Sequence, residues 1–386
     1  MYERIKSETG QTLNCFPAGS MVWTAEGYKS IEDVTCFDRV LTHSGKYQRV
    51  VRTKRTNKYD FCKIKISGCE DFLVTSCTPF YVRKKHSFST HEKGISVRKS
   101  WLGEAEWIKA EDLTSEYRVG VRINQKEIIP EWDGCVYSTH NSYGITASWR
   151  ENELSQYLDN GDFWWIVGRY FGDGNISKDC KGERKQIYTI DICCSNDEIG
   201  EITPMFDNLG IKAKMRTQGS TSHFSLPSKE WWEFLSQFGF GAAEKSITPF
   251  VLDLPDYLLK RFVDGYLSAD GHYYDEPGEW KFTTVSRRLA YGMERCILKT
   301  RGVVCCITTR DNNSIIMGRK VNTHKAYQLS FKGGYNEKRS QYLIEDGICW
   351  LNVRSVEKQK SQQTTCYSLT VENDKTYTVN NIIVHG

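Results

Sequence analysis

The sequence predicts a multidomain chain in which a β-rich module is split by an inserted α/β module made of two copies of one unit. Three observations predict this. Short strand-like runs fill residues 15 to about 140 and return near the end of the chain. Between them, helical patterns alternate with strands. Within that middle stretch, Val167-Gly168-Arg169-Tyr170-Phe171-Gly172-Asp173-Gly174 is echoed by Val263-Asp264-Gly265-Tyr266-Leu267-Ser268-Ala269-Asp270-Gly271, the self-similarity that marks a repeated structural unit.

The strand runs are Met21-Val22-Trp23-Thr24, Arg39-Val40-Leu41-Thr42, Gln48 to Arg52, Cys62 to Ile66 and Phe72 to Thr75, punctuated by Glu26-Gly27, Ser44-Gly45 and Ser67-Gly68. Such β-branched runs bounded by turn residues read as strands. Tyr367 to Val371, Tyr377 to Val379 and Ile382 to Val384 repeat the pattern, with Glu372 to Lys375 as a turn. Helical spacing of apolar residues covers Asp162–Phe171, Glu198–Leu209, Trp231–Phe238, Tyr257–Leu267 and Leu289–Leu298. Ser195 to Ile211 parallels Ser286 to Val303, each a helix stopped by Gly, so the two copies imply a pseudo-twofold axis. Insertion at an exposed loop is how one module tolerates another inside it.

The chain has 386 residues, 26% charged and 39% hydrophobic, with a net charge of +4. That length accommodates two domains at roughly 100–200 residues each. No apolar run approaches the roughly 20 residues of a membrane helix, and no signal peptide opens the chain. The 14 Cys form no C-x-x-C pair, which argues against a zinc ribbon and for reduced thiols in a cytoplasmic setting.

Taken in order, these features resemble an intein carrying a LAGLIDADG (DOD-type) homing endonuclease. Asn14-Cys15-Phe16-Pro17-Ala18-Gly19-Ser20 is similar to an upstream splice junction, Val384-His385 to a downstream one, and the two Asp-Gly helices to the paired nuclease motifs. The resemblance implies an all-β Hint horseshoe over 15–145 and 346–386, interrupted by an α/β pseudo-twofold endonuclease over 146–345. Residues 1–14 would be a leader or N-extein segment.

For splicing, the resemblance makes Cys15 the nucleophile that attacks the Asn14 carbonyl and turns an amide into a thioester. A thiolate suits that task near neutral pH, and its rate should rise toward a thiol pKa of ~8.5. The family's activating Thr-x-x-His falls on Thr75-Ser76-Cys77-Thr78, so Thr75 is kept and Thr78 stands where His is usual. Ser368 and Lys375 occupy positions that often hold Asp and His, and are possible modifiers. His385 matches the histidine that hydrogen-bonds the final scissile carbonyl. Gly386 stands where the family needs an asparagine amide; either an Asn is replaced, or the sequence stops one residue short of it. Splicing needs no cofactor, and this chain is expected to stop at the upstream thioester.

For the nuclease, the resemblance makes Asp173 and Asp270 the metal ligands, with Mg²⁺ as cofactor, and Lys245 a stabiliser of transition-state charge. Small residues at Gly168, Gly172, Gly265 and Ala269 lie on one helical face, so the helices can approach closely and bring the two Asp together. Basic residues on the following strands are the candidates for DNA contact: Lys185, Lys212, Lys214 and Arg216 in one copy, Lys281, Arg310 and Lys332 in the other, with Arg319, Lys320 and Lys325 nearby. The expected partners are double-stranded DNA with a long asymmetric site and the flanking extein segments, with no membrane and a monomeric chain. Two alternatives stand beside this: a Hint-type module limited to N-terminal cleavage, and a DNA-binding protein with a degenerate nuclease.

Overall fold

The computed structural model describes residues 14–92, 95–140, 146–181, 185–310, 315–316, 319–320, 325–333 and 342–386. The expected leader therefore lies outside the described residues up to position 13. The chain divides into two compact units. One gathers the described residues up to Asn124, Val304–Ile307 and those from Tyr342 onward; the other holds Gln125–Val303 and the described residues from Thr308 to Gly333. No described helix is long and apolar enough to cross a membrane.

The boundaries fall at 124/125 and 333/334 rather than at 145/146 and 345/346. The reason lies in backbone and side-chain contacts that join 125–140 to the rest of the second unit. The Ile128 N–H donates to the Asp253 carbonyl at 2.7 Å, and the Trp132 indole donates to Glu230 at 3.0 Å while its ring meets Phe234 edge-on. Tyr342–Glu345, by contrast, forms a hairpin with the start of strand Ile348–Val371 in the first unit.

The first unit is built on a 13-stranded sheet. Its longest strands, Tyr47–Ile66 and Ile348–Val371, pair antiparallel with each other. The other end of each joins a path of further strands that closes back on the pair. The sequence runs at 48–52 and 62–66 are thus one strand, because the intervening charged residues face solvent on a continuous ladder. The end of the chain is knitted into its beginning. Thr376–Val379 pairs with Met21–Thr24, and Ile382–His385 reaches strand Pro79–Glu92. The hairpin between those two terminal strands turns at Asn380 and Asn381, both at positive φ (47° and 65°), where Asn tolerates the left-handed conformation.

The second unit holds six helices among the described residues: α1 (Gly161–Asp173), α2 (Ile199–Asn208), α3 (Lys229–Ser236), α4 (Pro249–Leu252), α5 (Asp256–Asp270) and α6 (Arg287–Arg301). Each copy of the repeat contributes a four-stranded antiparallel sheet. One runs in the order Gly174–Lys181, Lys185–Ser195, Thr221–Leu226, Lys214–Gln218; the other in the order His272–Tyr274, Glu279–Thr284, Ala326–Lys332, Cys306–Arg310. Local chemistry starts and stops the helices. Asn160 and Ser286 accept N-terminal amides of α1 and α6, and Gly302 ends α6 in the left-handed region (φ 63°), as caps of these types do.

Candidate active sites

Helices α1 and α5 pack together along glycines. A Cβ at Gly168 would fall 2.0 Å from the Phe262 carbonyl oxygen, and one at Gly265 would fall 2.0 Å from the Trp165 carbonyl oxygen. Only hydrogen fits at either place, so backbone meets backbone across the seam. One turn on, the same construction places Gly172 against Ala269, with the Asp270 carboxyl carbon 3.4 Å from where a Gly172 Cβ would be. The two helices end there, at Asp173 and Asp270, and each following glycine is extended (ψ 151° and 140°).

The paired carboxyls stand in mutual repulsion and partial burial. Burial pushes Asp270 up to about 6, and the charge of Asp173 adds to it. Burial also raises Asp173, against the pull of Arg169. Such a pair favours a cation between its members. Among the described residues no cluster of three or more His, Cys, Asp or Glu forms a ready-made metal cage.

Lys245 is buried at 2% exposure beside this pair. Its ammonium donates to the carbonyls of Tyr170 (2.6 Å), Phe171 (3.2 Å) and Gly174 (2.7 Å). It thereby gathers carbonyls at and just beyond the end of α1, one of which, that of Tyr170, also accepts the Gly174 N–H. Burial lowers it to about 8, with Asp270 and Asp173 opposing. Its donors are engaged by backbone, so it acts as a clamp that also puts positive charge near both Asp.

Sequence reasoning missed Arg169, a lone cation inside an apolar helical run. Its side chain is fully buried and pairs with Asp173 at 3.1 Å and with Glu198 at 3.0 Å. It also donates to the Ser268 carbonyl on α5. Burial pushes Glu198 up, and the Ser195 N–H with Arg169 more than offset that, leaving it below the usual range. The pseudo-twofold counterpart of Arg169 is Tyr266, whose phenol interacts with Asp270. The two carboxyls therefore have different partners, a cation for one and a phenol for the other.

Above Asp173, the first sheet forms a cleft of about 770 Å³ lined by Asn175, Asp179, Thr189, Asp191, Arg216 and His223 among others. Its lining is mixed in charge rather than basic, because alternation places Asp179 and Asp191 on the same face as Arg216. Asp191 is held by the Ser225 hydroxyl. Lys212 and Lys214 are exposed at its rim strand; Lys185 begins its strand, and its side chain lies outside what is described, as do those of Arg319 and Lys320. In the second sheet Lys281 pairs with Glu279 at 3.1 Å, Lys332 lies opposite Glu279 in register, and Arg310 is exposed at the end of its strand. Lys325 lies 6.0 Å from the Tyr327 ring centre.

The first unit brings the two ends of its β module together. Cys15 is buried, and its N–H donates to the Thr75 hydroxyl at 3.0 Å while the Thr75 N–H donates to the Cys15 carbonyl at 3.1 Å. Thr78 touches Thr75 hydroxyl to hydroxyl at 2.8 Å. Asn14 is buried before them. Burial pushes the Cys15 thiol up to about 11; Lys58 and a hydrogen bond from Ser368 pull against it. This replaces the ordinary thiol value expected from sequence.

His385 is buried, and its Nδ1 lies 2.9 Å from the Gly386 carbonyl oxygen. Burial lowers its imidazole to about 4, so it is neutral near pH 7. Its ring meets Trp107 edge-on at 5.5 Å. Lys375 contributes its carbonyl, which accepts the Gly386 N–H at 2.8 Å. The second imidazole near His385 is His43, bonded to Thr376 at 2.9 Å, a residue that sequence reasoning did not single out. Strand Ile348–Val371 links the two ends: Phe16 pairs with Tyr367, and a Cβ on Gly386 would lie 2.3 Å from the Leu369 carbonyl oxygen.

No family model matches the chain. Among curated proteins it is similar to the ATP-dependent DNA helicase Hel308 of Thermococcus kodakarensis, at 24% identity over 423 residues, taking in 99% of this chain and 37% of that protein. It is also similar to the DNA-directed RNA polymerase subunit Rpo1C of Methanocaldococcus jannaschii, at 24% identity over 282 residues, 68% of this chain and 29% of that protein. The chain thus spans about a third of the length of these relatives. Among solved structures it is similar to the homing endonuclease I-DmoI in complex with DNA and manganese, at 16% identity and TM-score 0.33, over 45% of this chain and 89% of that one. A complex of I-DmoI with DNA and calcium gives 17% identity and TM-score 0.34, over 45% of this chain and 83% of that one.

Proposed function

We propose that the chain is an intein-type element, a self-cleaving β module that carries a metal-dependent DNA endonuclease of the LAGLIDADG class. The observation that supports the nuclease best is the glycine seam that delivers Asp173 and Asp270 to one point. Two carboxylates are a fitting set for Mg²⁺, which takes one or two protein carboxylates and completes its shell with waters and substrate phosphates. The cation, when bound, supplies Lewis acidity and a more acidic water. The chain's own residues then do the positioning. Asp173 and Asp270 hold the site at the helix ends, Lys245 fixes the end of α1, and Arg169 ties Asp173 to Glu198. The paired sheets offer strand faces of a kind that a major groove admits, and their different side chains suit a long, asymmetric duplex read by one chain.

For the β module, Thr75 grips the amide on the leaving side of the Asn14–Cys15 bond, and Cys15 is the nucleophile. His385, neutral and bonded at Gly386, holds the downstream carbonyl. Curated relatives named as a helicase and as a polymerase subunit each share about a third of their length with this chain, which suits an element inserted into different hosts. Thr78 and Ser368 stand where the resemblance expects His and Asp, and this favours a second reading in which the module performs N-terminal cleavage alone.

Two experiments test the proposal. A plasmid bearing the uninterrupted host reading frame should be linearised in Mg²⁺ by the wild type and not by Asp173→Asn; equal cutting by both sinks the nuclease. Dithiothreitol should release residues 1–14 from the wild type; a chain as inert as Cys15→Ala sinks the cleavage.

A further inference from the structure

Tyr377 stands between the two ends of the β module. Its ring lies edge-on to Phe16 at 6.3 Å, and 3.0 Å from the position a Cβ on Gly386 would take. The residue is fully buried, and its hydroxyl has no hydrogen-bond partner among the described residues. A buried hydroxyl without a partner destabilises a fold by roughly 1–3 kcal/mol, so phenylalanine would fit this place at lower cost. Burial keeps the phenol protonated, and negative charge on the nearby Cys15 would act in the same sense. Thr75 and Thr78 are occupied with Cys15 and with each other. Thr75 serves the amide side of the scissile bond, and among the described residues no donor reaches the acyl oxygen of Asn14.

We propose that the Tyr377 hydroxyl is that donor, stabilising the oxyanion that forms on the Asn14 carbonyl when Cys15 attacks. In that step the Cys15 sulfur bonds to the Asn14 carbonyl carbon and the Asn14–Cys15 carbon–nitrogen bond breaks. The thiol proton ends on the released Cys15 amine, and the product is a thioester. Tyr377 lends a hydrogen bond throughout and keeps its proton. The inference rests on the cleavage proposed above and names a further catalytic residue for it.

The test compares full-length wild type, Tyr377→Phe and Cys15→Ala in leader release at saturating dithiothreitol, together with thermal melting. The phenylalanine variant should release the leader about 100-fold more slowly, the loss typical of one oxyanion donor, while melting at the same or a higher temperature. A purely structural hydroxyl would give the opposite pairing, so slower release with a lower melting temperature overturns the inference. Release as fast as wild type overturns it too. A wild type as inert as Cys15→Ala overturns the cleavage proposal itself and this inference with it, an outcome distinct from a reactive wild type matched by Tyr377→Phe.

Discussion

Arg169 reaches Asp173 across one helical turn at 3.1 Å, fully buried, and with the same guanidinium nitrogen meets Glu198 at 3.0 Å. Removing one partner of a fully buried ion pair costs about 3–5 kcal/mol, but the carboxylates of Asp173 and Glu198 are about a third exposed (35% and 30%), so water offsets part of that. Arg169→Met should therefore destabilise the second unit in denaturant unfolding by less than that figure, about 1–3 kcal/mol. The double variant Arg169→Met with Glu198→Gln should recover part of the loss, since fewer charges then remain unpaired.

The glycine seam makes a sharper geometric prediction. Gly168→Ala puts a methyl group 2.0 Å from a backbone oxygen, so α1 and α5 must separate and the two Asp with them. DNA cleavage should be lost and melting lowered. Gly200→Ala is the control: nothing lies within 4 Å of its Cβ position, and alanine in a helix gains about 0.5–1 kcal/mol over glycine.

Asp270 carries a pH signature. Its folded carboxyl titrates at about 6, against an ordinary 3.8. Well below pH 3.8 both folded and unfolded forms hold the proton. As pH rises to 6 the unfolded form loses it first, so the folded state loses stability, by about 3 kcal/mol, and stays at that level above. Asp270→Asn should remove this loss and melt higher than wild type at pH 7.5. Mg²⁺ or Ca²⁺ should raise the wild-type melting temperature, reversibly with EDTA, and leave Asp270→Asn unmoved; equal shifts in both would count against the carboxylate pair as the metal site.

Thr75 and the Cys15 thiol should control leader release. With the thiol at about 11, the thiolate fraction grows about tenfold per pH unit from pH 7 to 9 with no plateau. A plateau near 8.5 would mean an unperturbed thiol. Thr75→Val keeps the shape and loses the hydrogen bond to the Cys15 amide, and should slow release by at least about tenfold.

His385 sets an acid limit on the first unit. Its imidazole falls from 6.5 to about 4 on burial. Its stabilising effect is complete above pH 6.5 and is lost as pH falls toward 4, because the unfolded histidine takes up a proton that the folded one refuses. Thermal melting of wild type should decline across pH 6.5 to 4 more steeply than that of His385→Phe.

The sequence alone carried the paired Asp-Gly helices, the small residues that seam them, the glycines that stop helices, and the strand runs at both ends of the chain. These are local properties, written in periods of two and 3.6 residues and in turn chemistry. Only the tertiary structure decided which groups meet. Lys245 is spent on carbonyls 75 and 71 residues away, His43 bonds Thr376 across 333 positions, and Arg169 and Tyr266 give the two acidic tips unlike partners. Unit boundaries moved because single side chains such as Trp132 find burial in the second unit. Desolvation and charge pairing depend on everything packed around a group, so the shifted acidities of Cys15, Asp270 and His385 exist only once distant strands and helices close over them.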